Sequence, residues 1–252
     1  MKECFGVHDM RAIILAAGEG TRLRGIAKDT PKVLMPINGV PLLEHTLLWL
    51  RASGVAEVAI NLHYQGEKIE AFVGDGSAFG IKVTFSKEER LLGTAGAVKR
   101  IEEFLSDPFL VVYGDVLTDL DIRKLEAYHR RNKASVTLML CRNHGRWDVG
   151  VVRVDKRGRV QAFSEKPSVL DKETSLMSGA IFIMSKQIVG LIPALEFYDF
   201  GMDLFPTLIA QGYAIFGHPL REGEYLLDIG TPYRYEQANH DAAAGLVTMS
   251  KR

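Results

Sequence analysis

Arg22, Lys32 and Asp115 are the side chains of this sequence best suited to phosphate chemistry, and two of them stand in one stretch. Leu15 to Pro36 reads Leu-Ala-Ala-Gly-Glu-Gly-Thr-Arg-Leu and then, past a polar linker, Thr-Pro-Lys-Val-Leu-Met-Pro. Gly18 and Gly20 have no Cβ and allow positive φ, so the backbone of Leu15, Ala16, Ala17 and Thr21 can turn sharply and bring N–H groups to phosphate oxygens. Arg22 supplies a permanently cationic fork, and Lys32 a point charge whose backbone is limited by Pro31. An isolated Gly-x-Gly is most often a plain strand-to-loop turn. This motif is longer, yet it lacks the dinucleotide fingerprint, because Leu23 takes the place of the third glycine, and no Gly-Lys-Ser/Thr follows to make a P-loop.

Phe109 to Tyr113 reads as a buried strand running into Gly114-Asp115-Val116. A carboxylate at the end of a parallel strand, reached through a glycine, projects into the binding crevice of an open α/β sheet. Asp115 is therefore an expected Mg²⁺ ligand, since that ion takes one or two carboxylates beside phosphate oxygens. Asn61, with His63 and Tyr64, closes another apolar strand at the same kind of edge. Gly93-Thr94-Ala95-Gly96 opens a helix where small residues let backbone approach a flat ring or a phosphate, with roughly 0.3–1 kcal/mol from the dipole. Tight helix-on-sheet packing explains those small residues equally well.

The elements that must position these groups alternate. Strands are expected at 12–15, 58–62, 81–85 and 109–113, with helices over 42–52, 69–73 and 93–105 and a helix after Asp121. From Ser135 the texture turns to strands, at 136–140, 149–154 and 160–164, with a hairpin at Asp155-Lys156-Arg157-Gly158. Short helices are expected at 188–192 and 203–210, flanking an aromatic loop with Phe197, Tyr198 and Phe200 that could form a lid, a homo-oligomer contact or plain core. A strand follows at 214–218. Tyr225 to Pro232 ends a last strand and starts a helix capped by Thr231. This predicts an α/β fold: a Rossmann-like, three-layer, mixed but mostly parallel sheet flanked by helices, with a smaller β-rich extension.

The chain has 252 residues, 47% of them hydrophobic, enough for one substantial core. We expect a loose extension at 1–9 and a single domain over 10–252, with one half at about 10–134 and a second, β-rich half at about 135–244. Thirty-one basic residues balance 31 acidic ones, so no broad positive surface is available for nucleic acid. Two cysteines, Cys4 and Cys141, lie far apart, no run is long enough to span a membrane, and the first ten residues have no apolar signal core. A cytoplasmic protein is expected.

Leu-x-x-Gly-x-Gly-Thr-Arg-Leu followed by Pro-Lys-x-Leu-x-Pro resembles the signature of the sugar-phosphate nucleotidyltransferases, the nucleotide-diphosphate-sugar pyrophosphorylases. The resemblance implies that Gly93 and Thr94 lie against the nucleotide base and ribose. It aligns Glu165-Lys166-Pro167 with the family's Glu-Lys-Pro, where the glutamate bonds sugar hydroxyls and the lysine holds the sugar phosphate, and puts Trp147, Asp148 and Gly150 near that pocket. Ser178 occupies an asparagine position on a sugar-contacting strand. Asp228, in Asp-Ile-Gly-Thr-Pro, becomes the second expected metal ligand.

The linker Arg24 to Thr30 departs from the family's Arg-Pro-Leu-Thr, and Leu226 replaces a common Trp. Gly-Asp-Val-Leu-Thr-Asp-Leu-Asp at 114–121 is most similar to the mannose 1-phosphate guanylyltransferase branch. The implied substrates are a nucleoside triphosphate, GTP first, and a sugar 1-phosphate, mannose 1-phosphate or a related sugar. The alternatives are a thymidylyl- or uridylyltransferase using glucose 1-phosphate or another sugar 1-phosphate, and, from another class, an inactive nucleotide-sugar sensor. The resemblance runs from Met10 to about Ala244, with no hexapeptide repeat after it, so the extra domain of larger relatives is not expected.

Overall fold

The computed structural model describes residues 10–27, 29–168 and 176–249; the expected 1–9 extension and the end of the expected domain lie outside the described residues. The chain begins with β1 (Ala12–Leu15), α1 (Arg24–Ala27) and a small hairpin, β2 (Pro36–Ile37) and β3 (Val40–Pro41). Asn38 and Gly39 make its two-residue turn with φ of 50° and 81°, the left-handed pair that matches strand twist. Then come α2 (Leu42–Ala52), β4 (Glu57–Leu62), α3 (Gly66–Val73), β5 (Lys82–Lys87), α4 (Gly93–Arg100), β6 (Phe109–Tyr113), β7 (Val116–Thr118) and α5 (Ile122–Arg131). The second part holds β8 (Val136–Arg142), β9 (Gly150–Val154), β10 (Val160–Glu165), β11 (Leu176–Met184), α6 (Phe205–Ala210), β12 (Ile215–Pro219), β13 (Leu226–Asp228) and α7 (Pro232–Ala243).

Nine strands form the main sheet, in the order β10-β9-β11-β6-β1-β4-β5, with β8 beside β11 and β12 beside β8. Among the described residues only β10 and β11 run against the other strands, so the sheet is mixed and mostly parallel. β1 sits between β4 and β6, and its last residue, Leu15, is in register with Asn61 on one side and Tyr113 on the other. That register brings the ends of three parallel strands to one edge. Alternation along β1 sends Ile13 into one core and Ile14 into the other, each fully buried, so both faces of the sheet are covered.

Local signals act as capping chemistry predicts. Asp121 accepts the N–H of Arg123 at 3.1 Å to start α5, whose buried Ile122, Leu125, Glu126 and His129 follow helical spacing. Thr231 accepts the N–H of Arg234 at 3.3 Å to start α7. Three expected helices differ in form. The segment expected at 188–192 is a 3₁₀ turn, Lys186–Leu191, and the one expected at 203–210 is a π-helical turn, Phe200–Leu204, leading into α6. The helix expected over 93–105 ends at Arg100, and the apolar residues beyond it continue in single turns. The aromatic loop divides: Phe200 is buried, edge-on to Phe182 at 4.7 Å, whereas Phe197 is exposed. Cys141 is a buried free thiol, and among the described residues no helix is long and apolar enough to cross a membrane.

Candidate active site

Two cavities open along the edge where β1, β4 and β6 end. The first, about 380 Å³, is lined by Leu15, Ala16, Ala17, Gly18, Gly20, Thr21, Asn61, Gly93 and Thr94, nine of the expected nucleotide residues, together with Arg22, Lys32 and Asp115. The second, about 330 Å³, is lined by Gly150, Glu165, Lys166 and Ser178, the residues expected to bind the sugar phosphate, together with Asp228, expected at the metal. Arg22, Thr94, Tyr113, Asp115 and Asp199 line both, so the cavities meet at these five residues.

The loop after β1 is shaped as its glycines require, with one difference. Gly20 takes φ +60°, and a Cβ there would lie 3.2 Å from the Lys32 side chain, whereas Gly18 needs no positive φ and has open space around it. Gly114, also expected at the nucleotide, instead supports the loop from behind. Its N–H donates to Leu15 O at 2.9 Å, a Cβ would fall 2.8 Å from Val33, and it lines neither cavity. Lys32 is ion-paired with Asp115, both side chains mostly buried, while Arg22 is half-exposed and reaches Asp148 Oδ2 at 3.0 Å.

Asn61 is buried and works inward. Its Oδ1 accepts the N–H of Ala16 at 2.6 Å, and its Nδ2 donates to Glu88 Oε1 at 2.8 Å. Glu88, also buried and also lining the first cavity, uses Oε2 to accept the N–H of Leu92 at 3.0 Å. One chain of hydrogen bonds thus ties the glycine loop to the start of α4. There the N–H groups of Ala95 and Gly96 are occupied by the carbonyl of Tyr198, at 2.9 and 3.0 Å, so the small residues of α4 admit the chain's own backbone. Gly93, at φ +74°, would carry a Cβ 2.6 Å from the same carbonyl. Thr94 donates to Asp199 Oδ2 at 2.8 Å and accepts the N–H of Phe200 at 2.9 Å.

In the second cavity Glu165 is partly buried, and that burial raises its carboxyl above the usual carboxylate range against the opposing pull of Lys166. A Cβ on Gly150 would meet the Phe163 ring at 2.4 Å, and one on Gly201 would meet Glu165 Oε2 at 2.6 Å. These two glycines leave room for the Phe163 and Glu165 side chains. Lys166 is largely exposed, with Glu165 3.8 Å away, and its φ of 44° is unusual for a side-chain-bearing residue. Ser178 begins a bulge in β11, its Oγ accepting the N–H of Ala180 at 3.3 Å. Trp147 is exposed and does not line the cavity.

Asp228 and Asp148 are bound up in guanidinium groups. Arg146 reaches Asp228 Oδ2 at 2.8 Å and Asp148 Oδ1 at 3.1 Å, and Arg234 reaches Asp228 Oδ1 at 2.9 Å and Asp148 Oδ2 at 3.4 Å. Burial alone would push both carboxyls up. The arginines override it, holding Asp228 below its ordinary value and Asp148 down at about 2. Asp115 and Asp228 adjoin, because Asp228 pairs with Val116 across β7 and β13 and the N–H of Ile229 donates to Asp115 O at 2.9 Å. Both residues line the second cavity, and two carboxylates on one cavity suit a hard cation that completes its shell with phosphate oxygens. Among the described residues no larger cluster of His, Cys, Asp or Glu could hold a metal unaided.

Glu88, Asp199, Arg146 and Arg234 are site residues that the sequence did not single out. Asp199 had a local signal, since it caps the turn that follows it, accepting the N–H groups of Gly201 and Met202. Each of the other three also has a partner distant in sequence: Asn61 for Glu88, Asp228 for Arg146 and Asp148 for Arg234.

Comparison with known proteins agrees with this geometry. The chain is 33% identical over 241 residues to a mannose-1-phosphate guanylyltransferase of Mycobacterium tuberculosis, covering 95% of this chain and 66% of that protein. It is 34% identical to a UTP–glucose-1-phosphate uridylyltransferase of Synechocystis, covering 91% of this chain and 62% of that one, so it spans less than two thirds of either relative. The structure of HddC from Yersinia pseudotuberculosis complexed with GMP-PN matches with a TM-score of 0.79 and 26% identity, over 92% of this chain and 99% of that one. The nucleotidyl transferase family model matches residues 11–245, and the chain belongs to that family.

Proposed function

We propose that this chain transfers a nucleotidyl group from a nucleoside triphosphate, GTP first, to a sugar 1-phosphate, mannose 1-phosphate or a related sugar, releasing pyrophosphate. The observation that carries this reading is the meeting of two cavities at Arg22, Thr94, Tyr113, Asp115 and Asp199. One reactant in each cavity brings its phosphate to the same point, and positioning of that kind is a large part of catalysis in phosphoryl-type transfer.

The attacking oxygen of the sugar phosphate displaces pyrophosphate from the α-phosphorus, and no protein nucleophile is needed. Arg22 and Lys32, at the glycine loop, stabilise charge on the leaving pyrophosphate. Lys166, a largely exposed cation lining the second cavity, holds the sugar phosphate, while Glu165 and Ser178 bond sugar hydroxyls. Asp115 and Asp228 would hold a Mg²⁺ ion, which when bound neutralises phosphate oxygens of both reactants. Residues 10–134 then act chiefly as the nucleotide half and residues 135–244 as the sugar-phosphate half.

Glu88 supports a guanine base. A carboxylate only accepts hydrogen bonds, and guanine offers adjacent N–H and NH₂ donors, whereas uracil and thymine flank their single N–H with carbonyl oxygens. The likeness to a uridylyltransferase keeps UTP with glucose 1-phosphate as the second reading. Phosphorus NMR of protein with GTP, mannose 1-phosphate and Mg²⁺ tests the first. New diphosphate resonances of a nucleotide sugar, with pyrophosphate, are expected; the same signals only with UTP would select the second.

A further inference from the structure

Arg146 lines the second cavity and not the first, and there its side chain is held on Asp228, which lines the same cavity. Its backbone is fixed by a tight turn: its N–H donates to Asn143 Oδ1 at 2.6 Å, and its carbonyl accepts from Asn143 Nδ2 at 2.9 Å. With the backbone so held, any change of partner falls to the side chain, now ion-paired with Asp228 and Asp148. Around it three guanidinium groups, of Arg22, Arg146 and Arg234, share two carboxylates, of Asp148 and Asp228.

We propose that Arg146 is a phosphate-binding residue for the sugar 1-phosphate, parked on Asp228 until that carboxylate takes the divalent cation. The inference rests on the transfer reaction proposed above. A cation on Asp228 competes directly for the Oδ2 atom that Arg146 holds. The arginine so released keeps its 3.1 Å contact with Asp148 Oδ1, but that single carboxylate also serves Arg22 and Arg234 and cannot neutralise all three. The local balance of three positive groups against two negative ones then becomes more positive by the charge of the cation. A dianionic phosphate entering the second cavity restores it, and a guanidinium fork meets two phosphate oxygens at once where Lys166 offers a single point charge. Arg146 thereby couples the cation site to the sugar-phosphate site.

The test uses the full chain with Arg146→Ala and Arg146→Lys. Mn²⁺ with GTP is titrated by electron paramagnetic resonance, and steady-state kinetics are run with GTP and mannose 1-phosphate. Arg146→Ala should raise the KM for mannose 1-phosphate about 10-fold or more, the loss of a charge-assisted pair, while Mn²⁺·GTP binds as tightly as in wild type or more tightly. Arg146→Lys, which keeps the charge without the fork, should fall between, and it carries the test if the alanine variant does not fold. Trp147, exposed and adjacent, should change fluorescence when Mn²⁺ and GTP are added to wild type and should not in Arg146→Ala; Trp49, the other tryptophan, is buried. An unchanged KM for mannose 1-phosphate, or Mn²⁺·GTP binding weakened by the same factor, overturns the proposal. A wild-type chain that turns over no substrate pair overturns the reaction and this proposal together, whereas turnover indifferent to Arg146 overturns this proposal alone.

Discussion

Asn61 and Glu88 share a buried hydrogen bond of 2.8 Å that joins the glycine loop to the first turn of α4. Each has a second partner in the backbone, Ala16 for Asn61 and Leu92 for Glu88. Asn61→Leu removes one side of two buried bonds and leaves a carboxylate oxygen and an N–H unsatisfied. A loss of about 1–3 kcal/mol is expected in urea unfolding, with a raised KM for the nucleotide. Stability within a few tenths of a kcal/mol of wild type would show that the loop does not depend on Asn61.

Glu88→Gln places an amide nitrogen against one of two donors, Asn61 Nδ2 or Leu92 N–H. It should lower the preference for GTP over UTP, measured as a ratio of kcat/KM values, by about 10-fold, the scale of one charged hydrogen bond. A ratio that does not move would remove Glu88 from base recognition.

Lys32→Met and Arg22→Ala separate the leaving-group side from the sugar side. Both should lower kcat, Lys32→Met by roughly 10²-fold or more, because it also strips Asp115 of its partner. Lys166→Ala should act mainly on the KM for sugar 1-phosphate. Wild-type kinetics in all three would refute the site.

Gly201→Ala tests the packing against Glu165 in the second cavity. Its Cβ would lie 2.6 Å from Glu165 Oε2, so the carboxylate must move. About 1–3 kcal/mol of destabilisation is expected, together with weaker sugar-phosphate binding. Gly18→Ala, with open space and no positive φ, should leave stability unchanged.

His129 gives the fold a pH dependence of known sign. Burial is the largest cause lowering its pKa to about 4, and its Nδ1 lies 3.0 Å from Thr137 Oγ1. The unfolded chain binds this proton near pH 6.5 and the folded chain only near 4. Between those values the unfolded state holds more protons. The contribution is thus complete above about pH 6.5 and is lost as pH falls toward 4, at up to about 1.4 kcal/mol per pH unit. Urea unfolding across that window should show a steeper decline in wild type than in His129→Gln; equal slopes would contradict it.

The parts of this molecule legible in sequence are those with local causes. Apolar runs marked β1, β4 and β6, capping chemistry placed the starts of α5 and α7, and the glycine loop announced itself by spacing. Sheet order was not legible, because no local signal says that β11 lies between β6 and β8. The π-helical turn escaped because its apolar spacing is close to that of an α-helix. Glu88, Arg146 and Arg234 stayed hidden for a related reason: a buried carboxylate or an inward arginine looks like any surface charge until its partner is known. Arg146 meets Asp228 across 82 positions of chain. Gly114 shows the converse, a glycine beside an expected ligand whose clearance serves Leu15 and Val33.

The most direct test of the central claim is pyrophosphate release in Mg²⁺, measured for the common nucleoside triphosphates against several sugar 1-phosphates, with Asp115→Asn as control. The account predicts one strongly preferred pair, GTP with mannose 1-phosphate or a related sugar, and its loss in the control. No release from any pair, with a nucleotide sugar still bound by the folded protein, would contradict it and leave a sensor in place of an enzyme.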